Sequence, residues 1–319
     1  MGAVLGLWRT TAVLVGASGA MAGAAYGLTE LGKRTRRTLA IPGWFPFRAD
    51  GVYLADGTGP LAPAACTGDV LTLAVLGDSS AAGLGVDQPD ELPGVVLARG
   101  LAEEAGQPVR LDTLAICGCT SRRLSGQIDA ALVDPPQAAL IMVGANDVTL
   151  RMPARESAKL LGDAVSRLRS AGTAVVVGTC PDLGAVRAIP QPLRAIARTW
   201  SRRLARRQRD AVLRAGGLPV PIGDLLALEF STQPALFSRD QFHPSTAGYD
   251  AACSVLLPAL CSALGVWGDE PVAQPVHSAV PARAPVDNPV PGPNWTSRTA
   301  AVLDRGVRRV LGQELRVRT

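Results

Sequence analysis

A chain of 319 residues, 47% of them hydrophobic and 18% charged, can fold around a large core, which excludes a disordered or fibrous protein. Its formal net charge of +5 rests on arginine, since Lys33 and Lys159 are the only lysines, and aromatic residues make up just 4%. With no zinc spacing, no RNA-binding motif and few rings on which bases could stack, nucleic acid is not an expected partner.

Residues 1–37 carry an uncharged run, 10–28, just long enough to span a bilayer. Arg9 precedes it, Lys33, Arg34, Arg36 and Arg37 follow it, and Ala20-Met21-Ala22 has the small-residue pattern of a signal-peptidase site. Three readings stand: a membrane anchor, a cleaved export signal, or an amphipathic helix packed on the body. Either of the first two makes the protein membrane-associated or exported to the cell envelope, with topology open. Residues 38–70 hold several Pro and Gly with little periodicity and read as an irregular lead-in.

From residue 71 the pattern becomes regular. Apolar strand-like runs at 71–76, 109–116, 138–143, 174–178 and 218–222 alternate with helical stretches at 92–105, 121–132, 154–171 and 193–215, and a last helix spans 245–264. Such alternation predicts an α/β domain over residues 71–266. Its parallel sheet is covered by helices on both faces as a three-layer α/β/α sandwich. Arg198, Arg202, Arg203, Arg206, Arg207 and Arg209 crowd the fourth helix. They read as a solvated face or as a face toward a membrane or an anionic ligand.

Residues 267–294 are rich in proline and poor in large apolar side chains, the composition of an extended linker. Residues 295–319 regain helical spacing, with Val302, Leu303, Val307, Val310 and Leu311 on one face and arginines elsewhere. A basic amphipathic helix of this kind lies on a membrane surface, docks to a partner or packs back on the body.

Six cysteines, Cys66, Cys117, Cys119, Cys180, Cys253 and Cys261, leave the disulfide state open. Cys253 and Cys261 lie about 12 Å apart along one predicted helix, too far to bond each other. With two histidines and no CxxC pair, no metal site is expected.

The chemistry gathers at strand ends. The run LAVLGDSSAAGLG stops its strand at Gly77 and leaves Asp78, Ser79 and Ser80 at the carboxyl edge, where open parallel sheets bind ligands. ICGCTS places Gly118 after the second strand, GAND places Asn146 and Asp147 after the third, and DQFH sets Asp240 three residues before His243 ahead of the last helix. Acyl transfer requires such a set. A serine hydroxyl needs a base near neutral pH, an imidazole base needs a carboxylate to hold its other N–H, and the tetrahedral oxyanion needs preorganised donors. GxSxG is absent because Ala81 stands where its second glycine would be. No Walker A loop or complete dinucleotide fingerprint occurs.

These four segments resemble the blocks of the SGNH hydrolases, also called GDSL esterases and lipases, in order and spacing over roughly residues 70–265. The resemblance implies a flavodoxin-like α/β/α fold and a serine esterase acting on small acyl esters of short-to-medium chain, without metal or organic cofactor. It implies Ser79 as nucleophile, His243 as general base and acid, and Asp240 as its orienting carboxylate. The backbone N–H of Ser79, that of Gly118 and the Asn146 amide would form the oxyanion hole, while Asp78 and Asp147 shape the site. Deacetylation of an envelope polysaccharide, lysophospholipase or thioesterase action, and a non-catalytic tethered module are the alternatives.

Overall fold

The computed structural model describes residues 45–66 and 68–267, together with Glu30. The uncharged run 10–28, the segment 295–319 and all of the proline-rich stretch after Trp267 lie outside the described residues. Among the described residues six strands make one sheet: β1 (Gly51–Tyr53), β2 (Leu71–Gly77), β3 (Val109–Thr113), β4 (Ala138–Met142), β5 (Ala174–Gly178) and β6 (Leu218–Val220). Their spatial order is β1-β3-β2-β4-β5-β6. All neighbours run parallel except β1, which pairs antiparallel with β3. The five parallel strands, taken alone, follow the 2-1-3-4-5 order of flavodoxin-like folds.

Helices follow the strands: α1 (Pro93–Ala105), α2 (Leu124–Ala131), α3 (Ala145–Thr149), α4 (Ala154–Ser170), α5 (Leu193–Arg214), α6 (Ile222–Leu225), α7 (Ala227–Thr232) and α8 (Thr246–Leu264). Period-two alternation along the strands sorts them into layers. Leu71, Leu73 and Val75 of β2 enter one core with Leu97 and Leu101 of α1 and Leu256 and Leu260 of α8. Ala74 and Leu76 enter the opposite core with Ile128 of α2, Leu161, Val165 and Leu168 of α4 and Val212 of α5. Each fully buried leucine contributes about 1.5–3 kcal/mol. Helix ends obey local chemistry: Ser245 Oγ accepts the Gly248 N–H at the start of α8, and left-handed Gly265 closes it. This helix is the one described helix long and apolar enough to cross a membrane, and half of it is buried in the protein's own core.

The central sheet is parallel as expected, and the lead-in, expected to be irregular, adds an antiparallel edge strand to it, Gly51–Tyr53. Three residues are too few to show periodicity. This strand is held by pairing with Val109, Arg110 and Leu111 and by buried Tyr53, whose hydroxyl donates to the Ala49 carbonyl at 2.6 Å. The strand expected over 109–116 ends at Thr113, where the chain leaves the ladder for the Gly118 turn.

Candidate active site

At the carboxyl edge the chain steps from β2 to β3 on one side and to β4 on the other, so a crevice opens between the loops that leave β2 and β4. Ser79 follows β2 and Asn146 follows β4. Gly77 makes the sharp exit from β2: its φ is +130°, and a Cβ there would overlap the Met142 carbonyl oxygen. No residue with a side chain could bring the two backbones so close. The Asp78 N–H then donates to that Met142 oxygen at 2.9 Å, and Asp78 Oδ1 accepts the Ser80 N–H at 2.9 Å. The segment that follows forms a tight turn rather than a helix, and α1 begins only at Pro93.

Ser79 and His243 come from positions 164 residues apart, yet Ser79 Oγ lies 2.9 Å from His243 Nε2. Asp240 Oδ2 lies 2.5 Å from His243 Nδ1. The turn between them is built by the other Asp240 oxygen, which accepts the N–H groups of Phe242 at 2.8 Å and His243 at 2.9 Å and the Ser238 hydroxyl at 2.9 Å. Phe242 meets the imidazole edge-on at 5.1 Å. Burial alone would raise the Asp240 carboxyl, but the bonds from His243 and Phe242 outweigh it and hold the group below the ordinary carboxylate range.

Gly118 sits in a turn closed by the Cys119 N–H on the Ile116 carbonyl at 3.0 Å, with φ +75° and open space where a side chain would stand. Two clamps join this turn to α3. One is Asn146 Nδ2 donating to the Cys119 carbonyl at 3.1 Å, which leaves the second amide N–H of Asn146 available. The other is Asp147, which accepts the Ser121 N–H at 3.0 Å and its hydroxyl at 2.7 Å. Burial raises the Asp147 carboxyl despite those two bonds. Asp78, with only backbone N–H groups of Ser80 and Gly144 for partners, is pushed by burial up to about 6. The structure thus draws Ser79, His243, Asp240 and Asp78 together and ties the Gly118 turn to Asn146 directly and to Asp147 through Ser121.

Sequence reasoning missed three features. Buried Gln127 bonds Gly77 through both ends of its carboxamide, and buried Gln208 bridges the Cys180 N–H and the Val143 carbonyl. Each stands at a core-facing helical position, Leu124-Gln127-Ile128 and Leu204-Gln208-Val212, and an amide at an apolar position was the available signal. The arginine row on α5 is largely exposed, and from it Arg198 and Arg202 also reach the buried carboxylate of Asp182. That carboxylate anchors a loop walling an apolar cavity of about 100 Å³, which reaches Ser80 and His243 and is lined by Leu183, Val186, Leu226 and Phe230. All six cysteines are free, and among the described residues no cluster of His, Cys, Asp or Glu could hold a metal ion.

A hydroxyl in line with an imidazole and a carboxylate, at the switch point of an α/β/α sandwich, defines a serine hydrolase in form. Comparison with known proteins gives the family. Residues 75–251 match the GDSL-like lipase/acylhydrolase family, and the chain belongs to it as a GDSL-type serine ester hydrolase, one of the SGNH hydrolases. It is 48% identical to the GDSL-like esterase Rv1075c of Mycobacterium tuberculosis (strain ATCC 25618 / H37Rv) over 276 residues, 83% of this chain and 87% of that one. Its fold is similar to the crystal structure of TesA, with a TM-score of 0.51 at 22% identity, covering 60% of this chain and 99% of that one.

Proposed function

We propose that this protein hydrolyses carboxylic esters of short-to-medium acyl chain through an acyl-enzyme on Ser79. The observation that carries this reading is the continuous hydrogen-bonded chain from Ser79 Oγ through His243 to Asp240. Ser79 Oγ attacks the ester carbonyl carbon while His243 Nε2 takes its proton, and Asp240 holds the Nδ1 proton and stabilises the imidazolium. The oxyanion receives the Ser79 N–H, the Gly118 N–H and the free amide N–H of Asn146. Collapse breaks the C–O bond to the alcohol, which leaves with the Nε2 proton. Water, deprotonated by His243, then attacks the acyl carbon and releases the acid and Ser79. Asp78 and Asp147 hold the turns in shape and take no proton in this cycle.

The cavity beside His243 supports an apolar acyl group of limited length, because its lining is aliphatic and aromatic and its volume is about 100 Å³. The curated relative, an esterase by name, supports the reaction class. The run 10–28 supports attachment to a membrane, which cell fractionation of the full chain would locate.

Ser79→Ala should lower kcat on a p-nitrophenyl acyl ester by about 10⁴-fold or more, with the thermal melt unchanged. A fluorophosphonate should label Ser79 and not Ser80. A chain-length series run beside acetylated oligosaccharides separates the esterase reading from deacetylation. Ester turnover retained in Ser79→Ala would overturn the assignment.

A further inference from the structure

The ladder between β2 and β3 ends at Val75 and Thr113, but β2 continues two residues further, to Gly77. On its β4 side Gly77 is still paired, opposite Met142. On the other side its N–H has lost its strand partner, and a buried unpaired N–H is costly. Gln127 fills the vacancy. Its Oε1 accepts the Gly77 N–H at 2.7 Å and its Nε2 donates to the Gly77 carbonyl at 2.8 Å, so one side-chain amide completes the ladder as a peptide group would. The same Nε2 lies 3.3 Å from Cys119 Sγ, next to Gly118. The Gly77 carbonyl also accepts the Ile116 N–H at 3.1 Å, which opens the turn containing Gly118. Gln127 is 2% exposed and has no route to a substrate.

We propose that Gln127 is a positioning residue that registers the Ser79 turn against the Gly118 turn, setting the separation of nucleophile and oxyanion donors from beneath both. The inference rests on Ser79 acting as nucleophile. Gln208 makes a similar bridge between Val143 and Cys180, just past the ends of β4 and β5, which supports a general use of carboxamides where this sheet splays. Only Gln127 reaches both reacting turns.

The experiment compares full-length Gln127→Met with Leu168→Ala, a cavity variant in the same core layer that touches neither turn. Both should lose thermal stability. Gln127→Met should lower kcat on a short acyl ester about 10- to 100-fold with KM within about threefold, and slow Ser79 phosphonylation in parallel. Leu168→Ala should keep both rates within about twofold of wild type below its melt. Gln127→Leu, which removes both bonds to Gly77 with a different apolar shape, should lose kcat in the same way. Wild-type kcat in a folded Gln127 variant overturns the inference, and so does a loss that Leu168→Ala reproduces at matched stability. Failure of both Gln127 variants to fold also overturns it, since Gln127 would then serve the fold as a whole. Ser79→Ala, run alongside, separates these outcomes from a failure of the nucleophile assignment.

Discussion

Two aspartates three residues or fewer from the reacting side chains stand in closely similar turns and end in opposite electrostatic states. Asp78 and Asp240 each direct Oδ1 at the N–H two residues ahead, Ser80 in one case and Phe242 in the other. The second oxygen makes the difference. Asp240 Oδ2 meets the His243 imidazole, and the Ser238 hydroxyl adds to Oδ1, so the charge is bound tightly enough to lower the carboxyl. Asp78 accepts only from backbone N–H groups and is not bonded to His243, whose charge lowers it from a distance, so burial prevails and raises it to about 6. Local turn chemistry therefore fixes where a carboxylate points, while its tertiary partner decides whether it is a dependable anion.

The sharpest break of this comparison is Asp240→Asn, which makes the second turn as neutral as the first can become. Its amide cannot hold the productive tautomer of His243, and kcat should fall about 10⁴-fold with little change in KM, measured by steady-state kinetics. Ser238→Ala is a partial version: one bond to Asp240 is lost and kcat should drop about tenfold, a factor set by a single charge-assisted hydrogen bond. Asp78→Asn tests the other turn. A carboxyl raised from its ordinary 3.8 to about 6 lends the fold stability that is fully present below about pH 4 and lost as pH rises through 6. Relative to wild type, Asp78→Asn should gain on the order of 1–3 kcal/mol at pH 7 and lose the decline between pH 4 and 6, read from urea melts across pH. Asp240 has the reverse sign. Its lowered carboxyl stabilises the fold above the ordinary range, and that contribution disappears as pH falls through the lowered value, so Asp240→Asn should flatten the acid limb.

The sequence made one of these turns more legible than the other. Asp240 and His243 sit three residues apart, so their contact is local and readable, and the strand-end positions of Ser79, Gly118 and Asn146 followed from hydrophobic runs that end abruptly. The three central strands, β2, β4 and β5, were legible for the same reason, since doubly covered strands are near-continuous apolar runs. Strand Gly51–Tyr53 was not, because pairing rather than pattern makes it a strand. Gln127 stayed hidden because its meaning depends on a gap in a ladder between strands that lie far from it in sequence. The roles of Arg198 and Arg202 depended likewise on Asp182, a loop residue whose burial no local pattern announces.

The short strand at the sheet's margin has a consequence for how the molecule behaves in a crowd. Without it β3 would offer five residues of open backbone to any passing chain. Gly51–Tyr53 covers that margin, and Leu61 in turn exchanges two backbone bonds with Val52, at 2.9 and 2.8 Å. The opposite margin is a three-residue strand with Pro219 at its centre, which has no N–H to offer. Both borders of the sheet are thus poor templates for a further strand, which guards a chain so rich in aliphatic residues against edge-to-edge aggregation.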